Sequence, residues 1–484
     1  MFQVPQLHVM LRINDFLRNS LLDSITAPQE AEGAGRGNGL RPSIVYRDKD
    51  TPFMSSVISA GGERAGLGHL HPSHPAHPRR RLHHSFGFWA ATLAFLVNMG
   101  FSAVPTPLYV LYQQRDHFST IMLTVVYAVY AVGVIVSLFL GGHLSDWVGR
   151  KWVFVPALLL NVVSAVIFLL APSLSGLMVA RIISGISIGL TTATATAYLG
   201  ELHIGVLGGD TSSPRRAQVV ATAANLGGIG VGPLAAGLLA EYAPQPLRLP
   251  YILFAAVLLV LALLVALSPE TADRPVPAPR YRPQRIAVPR HARGMFFAAT
   301  ATGLASFSVY GVFNSLAPSF LAGTLHQGSH AVAGAVAFAA FAAGAVAQIA
   351  LSRADLQLSL RIGPFLLIPG LALLAGGMWL PNLATFVIGG VLTGAGGGLA
   401  FRGALVAAGS TAPPESRAEV LSGFFLGGYI GLSVPVVGLG IATQYVSARL
   451  VMLVFVVLVA AAVVLCTRSV LAQHAQGDTG VRPE

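Results

Sequence analysis

The stretch that decides the fold is "GGHLSDWVGRKW", residues 141–152. It carries Asp146, Arg150 and Lys151, whereas the flanking stretches 121–140 and 152–171 hold no charge at all. About twenty apolar residues at 1.5 Å each cross a ~30 Å hydrocarbon core. Both flanks are apolar all round, without the alternation of a barrel strand, so each reads as a spanning helix. The quoted stretch is then a tight, charged, glycine-bearing turn between two membrane spans.

The rest of the chain extends the pattern. Of the 484 residues 54% are hydrophobic and only 10% are charged, against about 25% charged in soluble domains. Twelve helices fit, at about 86–112, 119–140, 152–171, 175–200, 217–240, 250–267, 295–321, 331–351, 362–380, 383–408, 420–443 and 448–468. The even-numbered connections carry thirteen basic residues, among them Arg150, Lys151, Arg215, Arg216, Arg353, Arg361 and Arg417; the odd ones carry only Arg115, Arg248 and Arg449. Lys and Arg gather on the cytoplasmic side, so both termini are expected in the cytoplasm and the protein in a bacterial inner membrane. The net charge of +11 is thus topological. No basic face with aromatic platforms supports nucleic-acid binding. The one cysteine, Cys466, excludes an internal disulfide.

Composition divides the chain further. Residues 1–84 hold seven of the nineteen acidic residues and no spanning run, and are expected to be a largely disordered cytoplasmic extension. Within them 4–25 has the pattern of an amphipathic surface helix. The tract "GHLHPSHPAHPRRRLHH" (68–84) holds six histidines, but its prolines disrupt the spacing of a tetrahedral metal site. Residues 85–267 and 295–468 are expected to form two six-helix bundles, with 268–294, rich in Pro and Arg, as a cytoplasmic linker and 469–484 as a tail. No cofactor or metal is expected, and the chain is read as a functional monomer.

The halves repeat. Arg-Ala-Gln-Val (216–219) before the fifth span matches Arg-Ala-Glu-Val (417–420) before the eleventh. Gly185 and Gly189 fall on Gly394 and Gly398, and Tyr127, Tyr130 and Gly133 on Phe338, Phe341 and Gly344. Two six-helix repeats imply a cavity between them near the midplane and alternating access to it. Small residues four apart, as in Gly185/Gly189 and Gly228/Gly232, permit close helix crossings.

These residues carry a resemblance. Gly142-x-Leu144-Ser145-Asp146-x-x-Gly149-Arg150-Lys151, placed after the second span, resembles the signature loop of the major facilitator superfamily. Arg181-x-x-x-Gly185-x-x-x-Gly189 resembles that family's second motif. "GGIGVGPLAAG" (227–237), with Gly228, Gly232, Pro233 and Gly237, is similar to the motif of its antiporters, and "PET" (269–271) is also familiar. The resemblance covers about residues 86–468, more strongly in the first half. It implies an all-α fold of twelve helices in two pseudo-symmetric six-helix bundles. It also implies a gating loop in which Asp146 faces the positive end of the eleventh helix, with Arg150 and Lys151 anchoring the turn among lipid phosphates or on carboxylates. Trp147 departs from the family, where a basic residue is usual. The second-half copy at 351–363 keeps Asp355 and Arg361 without the glycine spacing, so the latch is expected to be lopsided.

Arg181 lies within the fourth span, where a lone charge must face the bundle interior or water. In proton-coupled members of the family the matching arginine is implicated in proton transfer. Here no Asp or Glu lies at mid-depth; Asp116, Glu201, Glu241 and Glu419 all sit near span ends. Asp116 is therefore the expected peripheral proton acceptor. Arg402 has two readings, snorkelling to the interface or contact with an anionic substrate. Asn98, Tyr310, Asn314, Arg402 and the threonines 191, 192, 194 and 196 are the candidate cavity lining. The path is otherwise uncharged, which suits small neutral or amphiphilic substrates. No HExxH, GxSxG or nucleotide loop marks an enzyme. The expectation is a secondary transporter, first an exporter driven by protons, alternatively a carrier for uptake or facilitated diffusion of a small neutral metabolite, and remotely a non-transporting sensor.

Overall fold

A computed structural model describes residues 78–207, 215–272, 288–412 and 417–479. Most of the N-terminal extension, the amphipathic stretch, much of the histidine tract and residues 273–287 of the linker lie outside the described residues. The described chain is helical, and twelve helices are long and apolar enough to cross a membrane: α1 (His83–Asp116), α2 (Thr120–Gly141), α3 (Arg150–Leu170), α4 (Leu174–Val206), α5 (Arg215–Tyr242), α6 (Leu249–Leu267), α7 (Arg293–Ser315), α8 (His330–Ala350), α9 (Leu356–Trp379), α10 (Leu383–Gly409), α11 (Glu419–Ala442) and α12 (Ala448–His474). Two ends differ from expectation. Helix extends back to Pro78 and, at the other end, through Thr479, so much of the expected C-terminal tail continues α12.

The caps are written in the sequence. Ser119 Oγ accepts the Met122 N–H and Ser329 Oγ accepts that of Val332, opening α2 and α8 at matching places in the two halves. Ser173 accepts from Gly176 and Asn382 from Thr385, opening α4 and α10. Each satisfies one donor that a helix start leaves orphaned. The repeated glycines mark equivalent crossings. A Cβ at Gly185 would strike the Tyr130 carbonyl where α4 crosses α2, and one at Gly394 would strike the Ala340 carbonyl where α10 crosses α8.

A further symmetry was hidden in the sequence. α1 breaks at Val104, between segments ending at Ala103 and beginning at Pro105; the helix of α7 ends at Ser315 and a short helix, Ala317–Gly323, follows Leu316. The breaks follow Phe101-Ser102-Ala103 and Phe313-Asn314-Ser315, which correspond in the repeat. Proline lies just beyond each break, at Pro105 and Pro318, where its missing N–H costs no helical bond. Only the offset of the prolines obscures the match.

The bundles meet along α5–α8 and α2–α11, and through the segments beyond the breaks in α1 and α7. The closest approaches lie on the membrane side opposite the Arg150 loop. Gly237 abuts His330, Gly334 abuts Pro233, and Gly440 abuts Thr124. Glu241 accepts the His330 backbone N–H at 2.8 Å. On the Arg150 side the bundles touch where Arg215 Nη2 donates to Ser352 Oγ at 2.9 Å. The two halves are thus pressed together on the side away from the charged loop.

Candidate functional site: a central cavity and a charged cluster

The charged turn builds a cluster on its own bundle. Leu144–Val148 forms one helical turn, and Gly149 follows with φ of 117°, a conformation that glycine adopts without strain. That φ turns the chain sharply into α3, with Arg150 as its first residue. The Arg150 guanidinium donates to Glu201 at the end of α4 (Nη2–Oε1, 2.7 Å), to Ser145 Oγ (2.8 Å) and to Asp146. Glu201 also accepts from the Thr271 hydroxyl.

The "PET" segment completes the cluster. Glu270 accepts the backbone N–H groups of Arg150 at 2.7 Å and Lys151 at 3.3 Å, so it caps α3 from beyond α6. In return Lys151 Nζ donates to the Ser268 carbonyl at 3.3 Å, at the C-terminus of α6. An anion at one helix start and a cation at one helix end both suit the helix dipole. Tyr198 Oη fixes the joint by donating to the Pro269 carbonyl at 2.6 Å. Residues 268–272, the start of the expected linker, are therefore docked on α3 and α4.

Asp146 pairs with Arg150, one turn on at the start of α3, and its side chain is half exposed; among the described residues no bond joins it to the start of α11. Trp147 packs edge-to-face on His143 with ring centroids 4.6 Å apart. In the second half Asp355 caps α9 by accepting the Leu358 N–H at 2.8 Å. There Arg402 takes over as the tie. It donates to Ser359 Oγ at 2.6 Å and to the Ser352 carbonyl at 2.9 Å, clasping the α8–α9 connection from α10. Arg402 lines a side cavity with Gln218, Gln348 and Ser352, not the central one.

The central cavity lies between the bundles. Ser102, Tyr130, Thr192, Asn225, Tyr310, Asn314, Gln348 and Tyr429 line it, with Phe307, Phe341, Phe401 and Phe425. It offers about 80 Å³, several times the ~10–15 Å³ one water needs on that measure, so it is more than a packing flaw. No Asp, Glu, Lys or Arg stands among its lining residues. Gln348 lines both this cavity and the side cavity beside Arg402.

Tyr310 and Asn314 stand in the lining of the central cavity. Tyr310 Oη donates to the Gly394 carbonyl at 2.7 Å, and Asn314 Oδ1 accepts from Thr106 at 2.6 Å, just past the break in α1. Asn98 does not line the cavity. It is fully buried within the first bundle, donating to Thr191 Oγ1 at 2.8 Å and to Ser187 Oγ at 3.2 Å, and accepting from Asn161 Nδ2 at 2.8 Å. Thr191 thus faces the core and Thr192 the cavity, since neighbours on a helix point to different sides.

Sequence reasoning missed Asn225 and Gln348. Asn225 sits in a π-helical turn, Ala223–Gly227, ahead of the glycine motif of α5. Such turns recur at functional sites, but nothing in the residue pattern marks one. The motif itself is a packing device. Gly228 and Gly232 let α5 lie against the Leu96 and Gly100 carbonyls of α1, while the carbonyl of Pro233 meets Gly334 and Gly237 meets His330 across the bundle interface.

Arg181 is 1% exposed. Its Nη1 donates to the Ser102 carbonyl at 2.5 Å, and its guanidinium carbon lies 4.7 Å from the Tyr130 ring centroid and 5.5 Å from that of Tyr127. Cation–π contacts contribute roughly 2 kcal/mol when desolvated, less than the several kcal/mol that burying an ion costs. The ion pairs among the described residues are Arg115–Asp116, Arg150–Asp146 and Arg150–Glu201. Asp116 is therefore not brought to Arg181. It is held bidentately by its neighbour Arg115, at 2.6 and 2.8 Å.

Twelve spans, a two-bundle interface and a cavity between the bundles define a multi-pass helical membrane protein. Residues 90–354 match the family model of the Major Facilitator Superfamily, more than half of the chain, and the chain belongs to that family. Over 71 residues it is 41% identical to Probable polyol transporter 4 of Arabidopsis thaliana, and over 82 residues 34% identical to the Arabinose-proton symporter of Bacillus subtilis. Those segments are 14% and 17% of this chain and span only 14% and 18% of the relatives. Among solved structures it resembles a bacterial homologue of the human lysosomal transporter Spinster, described as inward-facing and unoccupied (TM-score 0.57, 17% identity, 82% of this chain and 99% of that one). It likewise resembles the nucleoside transporter NupG (TM-score 0.57, 14% identity, 80% and 99%). At such identities the likeness concerns the fold.

Proposed function

We propose that the protein moves small neutral or amphiphilic compounds across the membrane by alternating access, with efflux coupled to protons as the first reading. The observation that carries the substrate class is the cavity lining: hydroxyl, phenol and amide groups interleaved with phenylalanines, and no ionisable carboxylate or cation. Such a surface offers hydrogen bonds to hydroxyl and carbonyl groups and flat apolar area to the rest of a ligand. A phosphorylated substrate calls for Arg or Lys in the cavity.

The concentration of Lys and Arg on the connections of the Arg150 side supports placing that side, with both chain ends, in the cytoplasm of a bacterial inner membrane. The arrangement described above is then closed to the outside. The glycine motif of α5 supports export. Proton coupling finds support in the arabinose-proton symporter among the similar proteins. Uptake of a small neutral metabolite is the second reading, favoured by the polyol and arabinose carriers to which segments of this chain are similar. The protein is taken to act as a monomer, without cofactor.

Accumulation of a chemically broad compound panel, in a bacterium lacking its main efflux pumps and with or without a protonophore, separates these readings. Export predicts lower accumulation that the protonophore abolishes. Raised accumulation of a polyol or sugar establishes uptake instead. No change for any compound eliminates transport in favour of sensing.

A further inference from the structure

Arg181 is a buried cation with no counter-charge among the described residues, and it is not alone in lacking partners. Its Nε, Ser184 Oγ and Tyr109 Oη are all buried and have no hydrogen-bond partner. Each of these residues is 1% exposed. Ser184 lies one turn beyond Arg181 on the same face of α4, and Tyr109, on α1, interacts electrostatically with Arg181. All three atoms belong to groups able to donate. Ordered water would satisfy the donors but leave the charge uncompensated. A metal ion is excluded by repulsion from the guanidinium, and the groups nearby provide no carboxylate. One species satisfies both requirements, a small anion.

We propose that Arg181 and Ser184 on α4, with Tyr109 on α1, together hold a small monovalent anion. The anion is either a free halide or the carboxylate group of a bound compound. Arg181 lies directly behind the wall of the central cavity. Ser102, whose carbonyl accepts from Arg181, and Tyr130, whose ring covers the guanidinium, both line that cavity. The ring of Tyr130 therefore stands between the anion and the transport path. This inference goes beyond the transport reading, and a binding measurement tests it without transport.

The full chain is purified in detergent, and its thermal midpoint is followed as bulky methanesulfonate is replaced at constant ionic strength by chloride, bromide or acetate. A saturable rise is expected. Ser184→Ala and Tyr109→Phe, which keep the charge and the shape, should each weaken the apparent affinity about tenfold, because each removes a hydrogen bond to a charged group. Arg181→Gln should abolish saturation. A bromide-soaked crystal should show anomalous density within hydrogen-bonding reach of Arg181 Nε. Saturation by halide identifies a free ion, and saturation by acetate alone identifies a carboxylate; both support the site. The proposal is overturned if no anion saturates, or if Ser184→Ala and Tyr109→Phe respond as the unaltered protein does.

Discussion

At the scale of single residues, Arg150 has the most consequential position. Its side chain is 11% exposed and joins the loop to the end of α4, while its backbone N–H is taken by Glu270. Arg150→Ala leaves Glu201 half-buried without its cation, and is expected to cost about 2 kcal/mol and to abolish most transport. The exchange Arg150→Glu with Glu201→Arg should recover part of the stability in a double-mutant cycle read by thermal unfolding. Gly149→Ala is the second test. At φ of 117° a Cβ is strained, and it would lie 2.7 Å from the Glu270 carboxylate. A loss of about 1–2 kcal/mol is expected, and an unchanged unfolding midpoint would refute the capping arrangement. Gly149 and Arg150 were legible in the sequence because spacing in a short loop is local. The partners Glu201 and Glu270 were not, since they come from 51 and 120 residues away and no local pattern links them.

At the scale of helices, legibility followed the kind of information each helix carries. Spans and crossing glycines are set by composition and local spacing, and these were readable. Rotation about a helix axis was not. Asn98 and Met99 are neighbours, yet Met99 lines the cavity and Asn98 is locked into a network with Asn161, Ser187 and Thr191. Deciding between them requires knowing which neighbour packs on which face, and α1 is apolar all round. The glycines of α5 and α8 give the prediction that belongs here. Gly334→Val would drive a side chain into the Pro233 carbonyl where α5 meets α8. Because the clash lies at the interface between the bundles, it should leave each bundle folded and loosen their contact. The expected outcome is retained expression and monodispersity, with transport falling about tenfold and protease access at the α5–α8 end rising. A fully active variant would show that this contact is not part of the cycle.

For the whole molecule, the question is whether closure on the side opposite Arg150 is one state of a cycle or a permanent seam. The inter-bundle contacts differ between the two sides in kind. On the closed side backbone meets backbone at Gly237 and Gly334, and Gly440 packs on the Thr124 side chain, while the Arg150 side has the exposed Arg215–Ser352 bond, and exposed polar contacts contribute little. Rocking needs the tight seam to open in each turnover, so a covalent bond across it must stop transport. Thr124 and Gly440 are suited to one. A Cβ built on Gly440 lies 3.0 Å from that of Thr124, slightly inside the separation that a disulfide spans. The chain's single Cys466 is removed as Cys466→Ser. In that background Thr124→Cys with Gly440→Cys is expected to oxidise spontaneously, to leave the folded protein otherwise intact, and to reduce transport to background until a reductant restores it. Thr124→Cys alone should transport normally under the same oxidation, whereas Gly440→Cys alone drives a Cβ into Thr124 Oγ1, so the reference for the bridged protein is the same double variant kept reduced. If the bridged protein carries substrate at the full rate, α2 and α11 do not separate, and the repeated halves do not move about the central cavity in the manner proposed.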